Sequence, residues 1–272
     1  MKIGFIGQGW VGKAYADNFE SRGFEVIRYD LEKYKANREL IRECGIVFIA
    51  VPTPTLHEKG QSLDAVRSAL SCVAPGSIAV IRSTISPSAT DELQVENQNI
   101  FLLHLPEFLR EKHAARDVAW PERNIIGYTE KSKSKCDELI AVLARANHTI
   151  VMPAREAALV KYAGNGFLAM KVLFFNMLHD LCASYGADPE AVRAATVLDS
   201  RIGTSHTITV NGGLRGAGGH CFVKDLAALR KFVEDSGTKE AAEMLKASEL
   251  FNIKLLKDSN NSPEEIKRTY GD

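Results

Sequence analysis

Residues 3–30 constrain the fold more than any other stretch. Ile3-Gly4-Phe5-Ile6 is a short apolar run. Gly7-Gln8-Gly9-Trp10-Val11-Gly12 follows at once, and Trp10 to Arg22 is amphipathic. A second run, Glu25 to Tyr29, ends at Asp30, 18 residues beyond Gly12. Strand, glycine turn, helix and acid-ended strand form a unit suited to a dinucleotide. The first glycine permits the tight turn, the second lets a pyrophosphate approach the backbone, and the third lets helix and strand pack closely. The helix N-terminus faces the phosphates. Gly7, Gly9, Trp10, Val11 and Gly12 are the expected cofactor-side residues. Asp30 would accept hydrogen bonds from a ribose 2′-hydroxyl and repel a 2′-phosphate, so NAD is expected over NADP. Arg28, Lys33 and Lys35 lie close enough in sequence to soften that preference. The plain alternative is a glycine turn that binds nothing.

The same texture continues down the chain. Ile46 to Val51, Ser77 to Arg82 and Ile100 to His104 are further strand-like runs, with helix-like stretches such as Leu63 to Cys72 between them. Asn124 to Gly127 and Thr149 to Met152 flank a helix expected over Lys131 to Ala146. Strands alternating with helices predict a parallel sheet. After Pro153 the pattern becomes helical. Arg155 to Tyr185 holds no proline and predicts one helix of about 45 Å. Asp188-Pro189-Glu190 reads as an N-cap with proline at the first helical position. Helices follow over Phe222 to about Glu234 and over about Lys239 to Leu256. Ser262-Pro263-Glu264-Glu265 offers a capping-box start for a short terminal helix in a tail that could equally be mobile. The expected fold is α/β: a Rossmann-type doubly wound parallel sheet (1–152), then an all-helical domain with a long central helix (153–258), then a tail (259–272).

The chain has 34 basic and 34 acidic residues. Zero net charge disfavours nonspecific nucleic-acid binding, which needs a positive surplus. Five scattered cysteines, odd in number and without a C-x-x-C pair, argue against a disulfide framework or a metal site and fit a reducing compartment. The N-terminal apolar run is too short for a signal peptide. Gly166 to Cys182, broken by Lys171, His179 and Asp180, reads as a buried helix rather than a membrane span. A cytoplasmic protein without a membrane partner is expected.

Two constellations carry chemistry. Five glycines between Gly212 and Gly219 precede His220-Cys221-Phe222-Val223-Lys224-Asp225. Such a loop lets a substrate approach the backbone, and Cys221 would start a helix whose dipole favours the thiolate. Asp225, four residues on, shares that helical face, so covalent catalysis is open to the pair. A buried small residue closing a glycine turn is the equal alternative. Lys161 and Asn165, four apart in the long helix, could stabilise an alkoxide or an oxyanion. A solvated helix face is the plainer reading of that pair.

Taken together, six ordered stretches resemble the nucleotide-sugar 6-dehydrogenases, the UDP-glucose and GDP-mannose dehydrogenase family. They are Gly7–Gly12; Phe48-Ile49-Ala50-Val51-Pro52-Thr53-Pro54; Ser83-Thr84; Pro106-Glu107-Phe108-Leu109-Arg110-Glu111 with Asp117, Pro121 and Arg123; Leu159-Val160-Lys161-Tyr162-Ala163-Gly164-Asn165; and Asp199-Ser200-Arg201-Ile202-Gly203 leading to Gly218-Gly219-His220-Cys221-Phe222-Val223-Lys224-Asp225. The resemblance implies oxidation of a sugar C6 alcohol to a carboxylate in two NAD-dependent steps. Cys221 would form a thiohemiacetal and then a thioester. Lys161 and Asn165 would stabilise oxyanions, Asp225 and Thr84 would handle water, and Glu107 would serve as a base. Val51, Pro52, Thr53, Thr84 and Glu111 would line the cofactor. Phe108, Leu109, Lys161, Asn165, Gly218, Gly219 and Arg201 would touch the sugar nucleotide, Arg201 across a dimer interface. A homodimer through the helix at 155–185 is implied, and Leu168, Val172, Phe175 and Leu178 are candidates for its apolar face.

Three departures qualify the resemblance. Family members normally continue into a second Rossmann-like domain that helps bind the nucleotide, so a short form lacking it is expected. Only 15 residues, Leu31 to Gly45, separate Asp30 from the next strand, where the family carries a longer insertion. Val223 replaces the usual proline, and Met177 stands where the family's asparagine is usually followed by glutamate. Two other readings stay open: a single-step β-hydroxyacid-type dehydrogenase using Lys161 and Asn165, and a non-catalytic or partner-dependent NAD-binding protein.

Overall fold

The computed structural model describes residues 1–56 and 60–271. In chain order its strands and helices are β1 (Lys2–Ile6), α1 (Trp10–Ser21), β2 (Glu25–Tyr29), β3 (Ile46–Ile49), β4 (Thr55–Leu56), β5 (Gly60–Gln61), α2 (Asp64–Leu70), β6 (Ile78–Ile81), α3 (Ala89–Glu96), β7 (Phe101–His104), α4 (Ala114–Ala119), β8 (Arg123–Tyr128), α5 (Cys136–Val142), β9 (His148–Pro153), α6 (Ala154–Ser184), α7 (Pro189–Thr196), α8 (Gly219–Asp235), α9 (Lys239–Asp258) and α10 (Pro263–Tyr270). Two compact units result. One comprises residues 1–53 and 62–161, the other 54–61 and 162–272.

The first unit is built on a seven-stranded sheet in the order β2-β1-β3-β6-β7-β8-β9. From β1 the chain steps to β2 on one side and returns to β3 on the other, and both pairings are parallel. The C-terminal ends of β1 and β3 therefore diverge at a topological switch point, where open α/β sheets hold their ligands. The sheet is not wholly parallel: β8 runs antiparallel to β7, and β9 is parallel to β8.

Side-chain alternation fills both faces. Val47, Ile49, Ala79, Ile81 and Leu102 pack into one core. Ile46, Phe48, Ile78, Val80 and Leu103 pack into the other with Phe5 and Phe19. The Phe5 and Phe48 rings stack at 5.0 Å. All four residues of β3 and of β6 are buried, so these strands read as unbroken apolar runs. α5 is shorter than the Lys131–Ala146 expected. Thr129 and Ser132 exchange hydroxyl–backbone hydrogen bonds and a 3-10 turn follows at Lys133–Lys135. At the far end Leu143 is already extended.

The second unit is helical apart from the β4–β5 hairpin. Leu173, Leu226, Leu245 and Leu255 form its core. α6 and α8 approach closely at Gly166, where a Cβ would lie 2.5 Å from Leu229. Asp188 caps α7 as expected, its carboxylate accepting the Glu190 N–H at 2.9 Å.

The Ser262 capping box does not form. Ser262 adopts φ 54° and makes no cap to α10. Its hydroxyl instead accepts the Gly219 N–H at 2.7 Å, capping α8 from 43 residues away. The tail is a helix, anchored by the Tyr270 hydroxyl donating to the buried Glu249 carboxylate at 2.8 Å.

Among the described residues α6 is the one helix long and apolar enough to cross a membrane, by length and composition. The expectation of a buried helix is corrected here, since only 33% of its most apolar window is buried. Phe175 and Leu173 face the core, whereas Phe167, Phe174, Met177 and Leu181 are exposed. The apolar face open on α6 is therefore not the Leu168–Val172–Phe175–Leu178 set.

Candidate active site

Residues with the expected chemistry occur in both units, and each group is described within its own. In the first unit the glycine turn sits at the end of β1. Gly7 has φ +88°, and a Cβ there would meet the Ala50 carbonyl at 2.3 Å. At Gly12 a Cβ would lie 1.9 Å from the Gly7 carbonyl oxygen, so helix and strand can pack only around a hydrogen. Nothing lies within 4 Å of a Cβ at Gly9, so this residue leaves space above the turn. α1 has no side-chain cap and no acidic residue in its first turn. Its N-terminal N–H groups thus stay available to an anion.

Asp30 follows β2. Its Oδ1 accepts the N–H groups of Glu32 and Tyr34 at 2.9 and 3.0 Å, which fixes the carboxylate for a ribose hydroxyl at its other oxygen. Arg28, which could have served a 2′-phosphate, is held by Asp17 and Glu20 at 2.7 Å each. These residues fit NAD: an open turn at an uncapped helix start, an oriented acid, and a neighbouring cation already neutralised.

The loops after β3 and β6 are tied together beside that turn. The Val51 N–H donates to Ser83 Oγ at 3.0 Å, the Ser83 hydroxyl donates to the Val51 carbonyl at 2.7 Å, and Thr53 Oγ1 donates to the Thr84 carbonyl at 2.6 Å. Pro52 is exposed between them. Glu107 is buried rather than a surface carboxylate. It pairs with the buried Arg82 guanidinium and accepts the Leu109 N–H. Arg82 lies 4.0 Å above the Tyr15 ring. Burial alone would push its proton off, but the neighbouring Tyr15 and Glu107 hold its pKa above the usual arginine value. Arg82 was not among the residues singled out from sequence.

The Phe108 ring carries Arg123 at 4.2 Å and Lys161 Nζ at 5.6 Å. Lys161 is 5% exposed, which removes the solvated-face reading. Its ammonium is set against an aromatic face, suited to receive a developing negative charge. Glu111 opens a 3-10 turn over Glu111–His113.

In the second unit Cys221 is the third residue of α8, after the Gly218 N-cap. Of the five cysteines it is the one not buried. Asp225, one turn on, is 2% exposed. Its Oδ2 accepts Asn165 Nδ2 at 2.6 Å and its Oδ1 accepts Lys224 Nζ at 2.5 Å. Cys221, Asp225 and Asn165 are thus brought to one place, with Lys224 as a member that sequence reasoning missed. The family-like stretch Cys221–Asp225 contains that lysine, so the signal was present.

Two glycines of the loop, Gly216 and Gly218, are packed against the chain itself, whereas Gly212 and Gly213 have nothing within 4 Å of a Cβ. A Cβ at Gly218 would meet Asn261 Oδ1 and Ser262 Oγ at 2.6 Å, and one at Gly216 would meet Asn252 at 3.0 Å. At Gly219 nothing lies within 4 Å of a Cβ, though φ is +79°. Arg201 stands apart from this cluster. It is paired with Asp199 at 2.6 Å, and its side chain is 87% exposed.

Most of the chain matches known proteins. Residues 33–146 match the NAD binding domain of the UDP-glucose/GDP-mannose dehydrogenase family, and residues 155–254 match its central domain. A UDP-glucose 6-dehydrogenase of Rhizobium meliloti is 30% identical over 287 residues, covering 88% of this chain and 64% of its own length. One of Haloferax volcanii is 28% identical over 281 residues, 84% of this chain and 64% of its own. The chain therefore spans a little under two thirds of the length of these relatives.

Among solved structures, a UDP-glucose dehydrogenase of Pyrobaculum islandicum aligns with a TM-score of 0.78 and 28% identity over 92% of this chain and 68% of its own. A 3-hydroxyisobutyrate dehydrogenase of Mycobacterium tuberculosis aligns with a TM-score of 0.74 over 98% of this chain and 97% of its own, but at 16% identity it shares the fold alone. With the family's NAD binding and central domains both present in order, the chain belongs to the UDP-glucose/GDP-mannose dehydrogenase family, whose cofactor is NAD.

Proposed function

We propose that this chain oxidises the C6 primary alcohol of a nucleotide sugar of the UDP-glucose kind to the carboxylate. The observation that carries the reading is the Asn165–Asp225 hydrogen bond one turn from Cys221 at the start of α8. Names of the relatives support it, since those proteins are UDP-glucose 6-dehydrogenases.

Bound at the Gly7–Gly12 turn and Asp30, NAD supplies a two-electron acceptor for one hydride in each of two oxidations. Lys161 stabilises the alkoxide formed as the alcohol passes its proton to solvent water, and departure of a hydride from C6 to the acceptor would leave the aldehyde. The Cys221 thiolate then adds to the aldehyde carbon. An S–C bond forms, the carbonyl electron pair moves to oxygen, and the Asn165 amide and Lys161 ammonium balance the charge. After the second oxidation the carbon is a thioester. Water held by Asp225 and Thr84 attacks it, Glu107 takes a water proton, and the C–S bond breaks to return the thiolate.

Assembly enters this reading as well. Phe167, Phe174, Met177 and Leu181 on α6 suit a homodimer, and Arg201 on the surface suits a reach toward a partner's substrate.

A single-step dehydrogenase that keeps Lys161 and Asn165 is the second reading, favoured by the burial of Lys161 against the Phe108 ring. Cys221 separates the two, because one oxidation needs no thioester. Turnover should be measured with NAD against UDP-glucose, other UDP-sugars, GDP-mannose and small β-hydroxyacids. The proposal expects activity on a nucleotide sugar and loss of acid product in Cys221→Ala. Turnover of a β-hydroxyacid alone, unaffected by that substitution, would establish the second reading.

A further inference from the structure

Asp225 poses an electrostatic difficulty for the thiol beside it. A buried carboxylate one helical turn from Cys221 opposes formation of the thiolate, since like charges in a poorly solvated site disfavour each other's ionised form. The helix N-terminus favours the thiolate in the other direction. The Asn165 amide is neutral and cannot offset a charge. The group that can is Lys224, three residues from Cys221, whose ammonium donates to Asp225 Oδ1 at 2.5 Å.

We propose that Lys224 is a positioning residue for the nucleophile: it neutralises Asp225 and orients its carboxylate, so that Cys221 can ionise on the same turn of α8. This rests on the reading of Cys221 as the nucleophile. Burial alone would drive the Lys224 proton off. The charges of Asp225, Cys221 and Glu265 together keep its pKa above the ordinary lysine value. The other titratable groups around this turn do not replace it. Glu265 on α10 is itself negative and is paired with Arg268 at 3.1 Å. Tyr162 on α6 is held neutral by burial, and its pKa is well above the usual tyrosine value. His206, whose ring lies 5.8 Å from Phe222, has its pKa lowered by burial.

The test is the pH profile of Cys221 alkylation by iodoacetamide in the full chain, read by mass spectrometry of the Cys221 peptide. Its variants are Lys224→Met, Lys224→Arg, Asp225→Asn and the double variant Lys224→Met/Asp225→Asn. Lys224→Met should move the midpoint up by about one pH unit, a tenfold slower reaction near neutrality. Lys224→Arg should stay close to the parent. The double variant should return toward it, because removing Asp225's charge removes the need for Lys224.

A merely structural role predicts no such rescue. An unmoved midpoint in Lys224→Met, or a double variant as shifted as the single, would overturn the proposal. Lys224→Arg keeps the test valid if the methionine variant fails to fold: a midpoint moved as far as a full unit with the charge retained would also contradict it. Alkylation needs no sugar or NAD. Failure of the wild type to oxidise any nucleotide sugar would therefore sink the functional reading while leaving this result to stand or fall separately.

Discussion

Asn165 Nδ2 donates to the buried Asp225 Oδ2 at 2.6 Å, joining two residues 60 positions apart. The bond ties α6 to the first turns of α8, so it fixes both the amide and the carboxylate in the second unit. Asn165→Ala removes a donor from a carboxylate that has two. It should cost about 1–3 kcal/mol of stability, measured by urea denaturation. On the proposed mechanism it should also lower kcat by about 100-fold. A variant with lowered stability but unchanged kcat would leave Asn165 a scaffold residue.

The glycine turn separates packing from binding. Gly12→Ala places a methyl 1.9 Å from a backbone oxygen and should destabilise the fold by several kcal/mol. Gly9→Ala meets nothing, and its backbone φ of −64° suits alanine, so the variant should fold like the parent. The new methyl would nonetheless occupy the space expected for the pyrophosphate. NAD affinity, followed by fluorescence titration, should fall at least tenfold. Equal destabilisation of the two variants would contradict this division.

His104 gives the first unit a pH dependence. The ring is sealed at the end of β7, and burial, its main cause, pushes the pKa down from 6.5 to about 4. The folded pKa lies below the unfolded one, so the neutral imidazole favours the fold fully above pH 6.5. That contribution is lost as pH falls from 6.5 toward 4, and amounts to on the order of 3 kcal/mol. Denaturation midpoints across this range should flatten in His104→Leu relative to the parent. Parallel profiles for the two would show that His104 does not set the slope.

Exposed apolar residues on α6 point to self-association. Phe174→Asp places a charge in the middle of the stripe formed by Phe167, Phe174, Met177 and Leu181. Light scattering should report a dimer for the parent and a monomer for the variant, with helix content unchanged by circular dichroism. A monomeric parent would remove the cross-subunit role of Arg201.

Much of the fold was legible because its determinants are local. β2 falls at Glu25–Tyr29 as the alternation predicts, and Gly7 and Gly12 meet the close backbone contacts, and Gly9 the open space, that their order in the motif requires. What sequence could not supply are pairings between distant residues. Arg82 and Glu107 are 25 positions apart, and only the packed sheet makes them a buried ion pair. Ser262 looked like a cap for the helix after it, yet it caps α8, because chain reversal at α9 brings it back to Gly219. Lys224 adjoins Asp225 in sequence, but adjacency alone does not show that its ammonium turns back onto the Asp225 carboxylate. On α6 the period of apolar residues was clear, but which side faces the core depended on Leu226 and Leu245 in other helices.

The most direct measurement counts NADH formed at 340 nm per UDP-glucose consumed, in the parent and in Cys221→Ala. Two NADH per sugar in the parent, with no acid product from the variant, is the result the account predicts. One NADH per substrate, or a variant that still completes two oxidations, would contradict the central role given to Cys221.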